Sequence, residues 1–278
     1  ENLADVAFTL QEGRHAFDHR RVMVVQDVDD AVRTLESGDR KRVFSDVVRT
    51  KKPPLVFMFP GGGAQYPRMG EELYRREKVY RDLIDEGLSI LDRRWSISLR
   101  DLMFPPSGQE AAAAAELERP LKSILSIFLT EYALARLWMS RGVEPQGMTG
   151  HSLGEYTAAC LAGVMSLEDT LAIVVARGQI FERLPEGAML SVGLSEEAVR
   201  PYFKEGQSLA AANAPELSVV SGTDQQISAL QEKLLGEDID CQRLKISVAA
   251  HSAMLDPFLD EFRRAFEGVQ FGKPSIPF

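Results

Sequence analysis

Thr149-Gly150-His151-Ser152-Leu153-Gly154-Glu155-Tyr156 places Gly-x-Ser-x-Gly where an apolar strand pattern gives way to a helical one. A serine in a tight strand-to-helix turn needs small neighbours, which Gly150 and Gly154 supply. The helix that follows directs unpaired N–H groups back at the turn. Two readings share these five residues: a raised Ser152 nucleophile beside an anion site, and an ordinary Gly-Ser turn. The flanks favour the first. Upstream, Leu121, Leu125, Phe128, Tyr132, Ala135 and Met139 recur three or four apart, predicting an amphipathic helix that ends near Arg141-Gly142 before a short strand over 143–148. Downstream, 153–161 reads as a helix stopped by Gly163.

At 278 residues, 45% apolar and 26% charged, the chain has the composition of an ordinary soluble globular protein with a full core. Its formal charge of −9, with no basic run longer than Lys51-Lys52, excludes the electrostatic footprint of a nucleic-acid binder and argues against anionic membranes. The two cysteines, Cys160 and Cys241, have no metal-site spacing, so no metal is expected. They suit a reducing compartment, and the expected location is cytoplasmic. No apolar run approaches a membrane span and no signal-peptide pattern opens the chain. The start at Glu1-Asn2, without Met, reads as a piece of something longer.

Residues 2–12 predict a helix closed by Gly13, 20–25 a strand, and 28–35 a helix ended by Gly38. The breaker Lys51-Lys52-Pro53-Pro54 then marks a boundary between a small adaptor and the main domain. The strand-length run 55–59 is followed by Pro60-Gly61-Gly62-Gly63-Ala64-Gln65. A dinucleotide turn is rejected because Tyr66 stands where the third glycine belongs, and no Gly-Lys-Ser/Thr follows. The glycines instead allow backbone N–H groups to approach a reacting atom, with Gln65 closing the turn. Helical patterns occupy 71–91, and Ala111 to Ala115 is helix-friendly.

Ser166 is a candidate N-cap for a helix through Phe181, which carries Arg177 among Val174, Val175, Ala176 and Gly178. An arginine on the wet face is one reading of Arg177; the other is a guanidinium that needs an anionic partner. From Ala188 the pattern becomes strand 189–194, helix 196–203, strands 209–212 and 218–221 around an Asn213-Ala214-Pro215 turn, a helix to Leu235 opened by a capping box at Thr223, and strand 244–249. That βαββαβ order is the ferredoxin-like signature. Asp256-Pro257 starts a last helix through Phe266.

A serine nucleophile needs a base, and the chain has four histidines. His15 and His19 lie in the adaptor, and His151 adjoins Ser152, where neighbouring side chains diverge. His251 remains, between a strand and a helix. No Asp or Glu stands out as the third member of a hydrolase-type triad.

Five motifs in order and approximate spacing carry a resemblance: Gly-Gly-Gly-Ala-Gln at 61–65, Gly-His-Ser-Leu-Gly-Glu at 150–155, Val-Ala-Arg-Gly at 175–178, Asn-Ala-Pro at 213–215 and Ala-Ala-His-Ser at 249–252. The chain resembles the malonyl-CoA:acyl-carrier-protein transacylase family, and more closely the acyltransferase domain of a modular type I polyketide synthase. Its opening, from Leu3 to Arg14 and on through His19-Arg20-Arg21-Val22, is similar to the linker that follows a ketosynthase. The resemblance implies an α/β fold: an α/β-hydrolase-like core over 55–187 and 250–278, an inserted ferredoxin-like subdomain at 188–249, and a small N-terminal α/β linker domain at 1–54.

It also implies roles. Ser152 would be the nucleophile and His251 its general base and acid. The N–H groups of Gln65 and Leu153 would form the oxyanion hole, and Arg177 would hold the free carboxylate of the substrate. His151, Asn213 and Ala250 would line the substrate pocket. The substrate would be malonyl-CoA or methylmalonyl-CoA, with no bound cofactor. The acceptor would be the phosphopantetheine thiol of an acyl carrier protein, and an adjoining ketosynthase domain is the other expected partner.

Three departures stand out. Gly62 replaces the first glutamine of the family's Gly-Gln-Gly-x-Gln. Val248-Ala249-Ala250-His251 matches neither the His-Ala-Phe-His of malonyl relatives nor the Tyr-Ala-Ser-His of methylmalonyl ones. The family also continues past the last residues here through a strand-bearing segment, from which a backbone carbonyl orients the histidine in relatives. A serine hydrolase of the α/β type, or a carrier-protein docking module with a vestigial serine turn, are the competing expectations.

Overall fold

The computed structural model describes residues 2–50, 53–244, 246 and 248–278. The chain divides into two compact units at Pro54. The first runs α1 (Leu3–Glu12), β1 (His19–Met23), α2 (Val28–Ser37) and β2 (Val43–Val47), with β1 and β2 antiparallel from His19↔Val47 to Met23↔Val43. The sequence reading has no counterpart of strand β2, which its pairing with β1 reveals. Arg42, just before β2, reaches α2 with a two-pronged bond to Asp30, at 3.0 and 2.7 Å. That guanidinium, with the Gln26 N–H, lowers the Asp30 carboxyl to about 2.

The second unit opens with β3 (Val56–Phe59), then α3 (Glu71–Arg76), α4 (Lys78–Trp95), α5 (Arg100–Met103), α6 (Glu110–Leu117), α7 (Pro120–Ser140), β4 (Gly147–Gly150), α8 (Gly154–Leu161) and α9 (Leu167–Phe181). The helix predicted over 71–91 is two helices, because Glu77 is extended at φ −105° and ψ 107° with no Gly or Pro to announce the break. Helix α7 begins on Pro120, whose missing N–H costs nothing at a helix start. It forms the centre of the core: Leu125, Phe128 and Leu129 are buried with Ile84 and Leu91 of α4 and Leu171 and Val174 of α9. Each fully buried side chain of this size contributes about 1.5–3 kcal/mol. Ser166 caps α9, accepting from the Asp169 N–H at 3.0 Å.

Strands β3 and β4 are parallel, in register from Val56↔Gly147 to Phe59↔Gly150. Both therefore end at the same edge, and the loops that leave them meet there. The strand expected over 143–148 starts four residues later and runs into the serine turn.

A four-stranded antiparallel sheet follows, ordered β6-β7-β5-β8, from β5 (Gly187–Val192), α10 (Glu196–Val199), β6 (Ser208–Ala214), β7 (Leu217–Thr223), α11 (Asp224–Gly236) and β8 (Cys241–Arg243). Leu190, Val192 and Val220 pack on Ile227, Leu230 and Leu234 of α11. The Thr223–Gln226 capping box opens that helix. Two expectations are corrected. Asn213 lies in β6 rather than in a turn, since the β6–β7 reversal is only Pro215-Glu216, with Ala214 paired to Leu217. The last described strand is Cys241–Arg243, earlier than the 244–249 expected: Arg243 pairs with Leu190, and Leu244 donates to the Met189 carbonyl. Lys245 and Ser247 of the predicted strand lie outside the described residues. The final helix is likewise shorter, a 3₁₀ turn at Ala253–Phe258 containing Pro257, then α12 (Leu259–Arg264). No described helix is long and apolar enough to cross a membrane.

Candidate active site

Ser152 stands at the meeting point of the β3 and β4 loops with φ +53°, a left-handed conformation that costs a side-chain-bearing residue of the order of 1–3 kcal/mol. Two glycines make the turn possible. A Cβ on Gly150 would sit 2.1 Å from the Glu155 nitrogen, and one on Gly154 would sit 2.3 Å from the Phe59 carbonyl oxygen. Helix α8 can thus start directly above the end of β3, and the His151 N–H bonds Phe59 O at 2.9 Å.

Two side chains converge on the serine. His251 Nε2 lies 2.8 Å from Ser152 Oγ, and Arg177 Nη2 donates to the same oxygen at 2.7 Å. His251 itself has φ +56°, so both members of the pair are held in strained backbone. Partial burial, then the Arg177 charge and His151, lower the pKa of His251. The ring therefore favours its neutral form, with a lone pair for the serine proton. The hydrogen-bond geometry fits: the guanidinium donates to Oγ while the hydroxyl donates to Nε2. Among the described residues no carboxylate bonds to His251.

Arg177 is half-buried between the rings of Tyr156, at 5.4 Å, and Phe181, at 5.1 Å. Burial lowers its pKa against the opposing effect of Tyr156. Among the described residues no carboxylate pairs with it. The sequence reading missed both ring partners, although Phe181 lies one helical turn from Arg177 and Tyr156 one turn beyond the serine.

A cavity of about 860 Å³ opens over these groups, and Gln65, Leu153, His151, Asn213 and Ala250 all line it. The Gly61 turn approaches closely, since a Cβ there would lie 3.0 Å from the His151 carbonyl oxygen. Neither the Gln65 nor the Leu153 N–H donates to another protein group among the described residues. His151 turns away from the serine and bonds Asn213 Oδ1 through Nε2 at 3.0 Å, tying the serine turn to β6. Ala250 is buried beside Met189, Val219 and Phe258, on an apolar wall. Every residue proposed from the sequence is therefore brought to one cavity.

Residues 56–278 match the family model described as the acyl transferase domain, and residues 1–35 match one described as "CurL-like, PKS C-terminal". Among curated proteins, the chain is 35% identical over 279 residues to the mycoketide-CoA synthase of Mycobacterium tuberculosis, covering 99% of this chain and 7% of that synthase. Among solved structures, the acyl transferase domain of ZmaA is 37% identical with a TM-score of 0.87. The acyl transferase domain of SpnD, in complex with 2-(pent-4-yn-1-yl)malonyl, is 36% identical with a TM-score of 0.81. Each comparison covers 99% of this chain and 64% of the solved one.

Proposed function

Because the chain belongs to the acyl transferase domain family of polyketide synthases, we propose that it moves a malonyl-type unit from coenzyme A to an acyl carrier protein through an ester on Ser152. The observation that carries the reading is Arg177, a half-buried guanidinium with two aromatic walls and no carboxylate partner among the described residues, 2.7 Å from Ser152 Oγ. A buried cation of this kind is stabilised by an anion. The free carboxylate of a malonyl group would supply one while its thioester reaches the serine.

In the forward half, Ser152 Oγ attacks the thioester carbon as His251 Nε2 takes the hydroxyl proton. The carbon–sulfur bond then breaks, and the imidazolium returns the proton to the departing thiolate of coenzyme A. The tetrahedral oxyanion is assigned to the free N–H groups of Gln65 and Leu153. In the second half the phosphopantetheine thiol of the carrier protein attacks the seryl ester, with the proton passing through His251 in the opposite sense. No atom is lost, and the residues need no metal for either half. The malonyl-type ligand in the SpnD structure supports the substrate class. Malonyl or methylmalonyl is the extender we assign, Ala250 leaving room beside the α-carbon.

We read residues 188–249 as a ferredoxin-like subdomain, which the observed strand order supports, and 55–187 with 250–278 as the hydrolase-like core. Residues 1–54 are read as the linker from an adjoining ketosynthase, in a cytoplasmic assembly. The test is intact-mass analysis after incubation with malonyl-CoA. A stable malonyl adduct that Ser152→Ala abolishes supports transfer, rapid loss of the adduct to water indicates a hydrolase, and no adduct indicates a docking module. The hydrolase reading has no observation in its favour, since no acid bonds to His251 among the described residues.

A further inference from the structure

Helix α7 is buried along most of its length, and one ionisable carboxyl lies in that buried face. Glu131 is 8% exposed. Its Oε2 accepts from Thr157 Oγ1 at 2.6 Å, and Thr157, on α8, is fully buried. The other oxygen, Oε1, has no hydrogen-bond partner among the described residues. A charged carboxylate with one donor and one bare oxygen is strongly disfavoured in such a place, whereas a protonated one is not. Among the described residues no cation pairs with it. Tyr132 and Arg136 of α7, Cys160 of α8 and Glu86 of α4 act on one another. Tyr80 of α4 lies against Thr130, and Arg177 of α9 turns to Ser152. Burial pushes the Glu131 carboxyl up to about 7, with the Thr157 bond opposing it.

The bond's position connects it to the active site. Helix α8 begins two residues after Ser152, and Thr157 follows Tyr156, whose ring packs on the Arg177 guanidinium. Anchoring Thr157 therefore fixes the rotation of α8 and, with it, one wall of the Arg177 site and the base of the serine turn. We propose that Glu131 is a positioning residue, a protonated carboxyl that pins α8 through Thr157, and that ionising it places an uncompensated charge between α7 and α8, which draws water to the bare oxygen and loosens the Ser152–Arg177 geometry. The catalytic half of this inference rests on the acyl-transfer reading above.

The sign follows from the raised pKa. The stabilisation is complete below the ordinary carboxyl value of 4.5, declines as pH rises, and is gone above about 7. Glu131→Gln keeps the shape and an acceptor for Thr157 but cannot ionise. Thr157→Val removes the donor.

The experiment measures both the rate of Ser152 acylation by malonyl-CoA and the melting temperature, for wild type and both variants, from about pH 5 to about pH 9. Wild type should lose acylation rate across neutrality, roughly thirtyfold by pH 8.5 where the charged form is inactive, while Glu131→Gln keeps its rate above neutrality. The melting temperature of wild type should fall relative to Glu131→Gln between about pH 4.5 and about pH 7. Thr157→Val should acylate more slowly at every pH. Superimposable wild-type and Glu131→Gln profiles in both measurements would overturn the proposal while leaving acyl transfer standing. Diverging melts with no acylation at any pH would overturn acyl transfer and the catalytic half together, and support the pinning of α8 alone.

Discussion

Arg177→Ala separates substrates that carry a free carboxylate from those that do not. In the wild-type site the guanidinium is half-buried between Tyr156 and Phe181, and donates to Ser152 Oγ at 2.7 Å. Removing it leaves a malonyl carboxylate unpaired in the same place. Breaking a buried charged pair costs about 3–5 kcal/mol. Partial solvent access at this site lowers that to about 2–4 kcal/mol, or roughly 30- to 1,000-fold in kcat/KM. Acetyl-CoA brings no carboxylate, so it loses only what Oγ loses with its donor. That second loss is common to both substrates, and the ratio of the two rates cancels it. The assay is acylation of Ser152 by each ester, followed by mass and compared at equal concentration. The expected result is a collapse of the malonyl rate with the acetyl rate changed far less. An equal loss on both esters would refute the carboxylate role and leave Arg177 as a partner of the serine alone.

The lowered pKa of His251 keeps the base neutral, so the acid limb of acylation should have its midpoint below the ordinary histidine value of 6.5. Since this folded-state pKa is depressed, the associated stability is present above 6.5 and is lost as pH falls through the folded value. Removing the neighbouring charge with Arg177→Gln should move the midpoint upward, which a pH–rate profile on acetyl-CoA would record. Gly154→Ala forces a Cβ to 2.3 Å from the Phe59 carbonyl oxygen and should cost several kcal/mol, read as a fall in melting temperature and in soluble yield. Ala250→Phe adds a ring to a packed apolar wall, worth about 1–3 kcal/mol against a branched unit. A competition between malonyl-CoA and methylmalonyl-CoA should therefore shift toward malonyl, and an unchanged ratio would place selectivity elsewhere. In the N-terminal unit, Asp30→Asn should lower the melting temperature at neutral pH but not at about pH 2, where the lowered Asp30 carboxyl is already gaining its proton.

The parts of this molecule that could be read from sequence are those where one residue type is required locally. Gly150 and Gly154 must lack a side chain for the serine turn to close, and Ser166 and Thr223 cap their helices through bonds spanning three residues. The elements that escaped the reading depend on distant partners. Strand β2 exists through its pairing with β1, and the fourth strand of the antiparallel sheet is set at Cys241–Arg243 by its pairing with Val192, Ser191 and Leu190. The site divides in the same way. Ser152 is marked by its neighbours and His251 by the scarcity of histidines, but the rings that hold Arg177 come from two helices and become visible only when α8 and α9 are packed. Glu131 is the extreme case. Its spacing places it on an ordinary helix, its chemistry suggests the wet face, and only the burial of α7 against α8 turns it into a carboxyl with one donor. A carboxylate at such a position is costly unless protonated, so the sequence signal to look for is an acidic residue within an otherwise apolar helical face, together with a hydroxyl-bearing residue in the helix that follows the nucleophile.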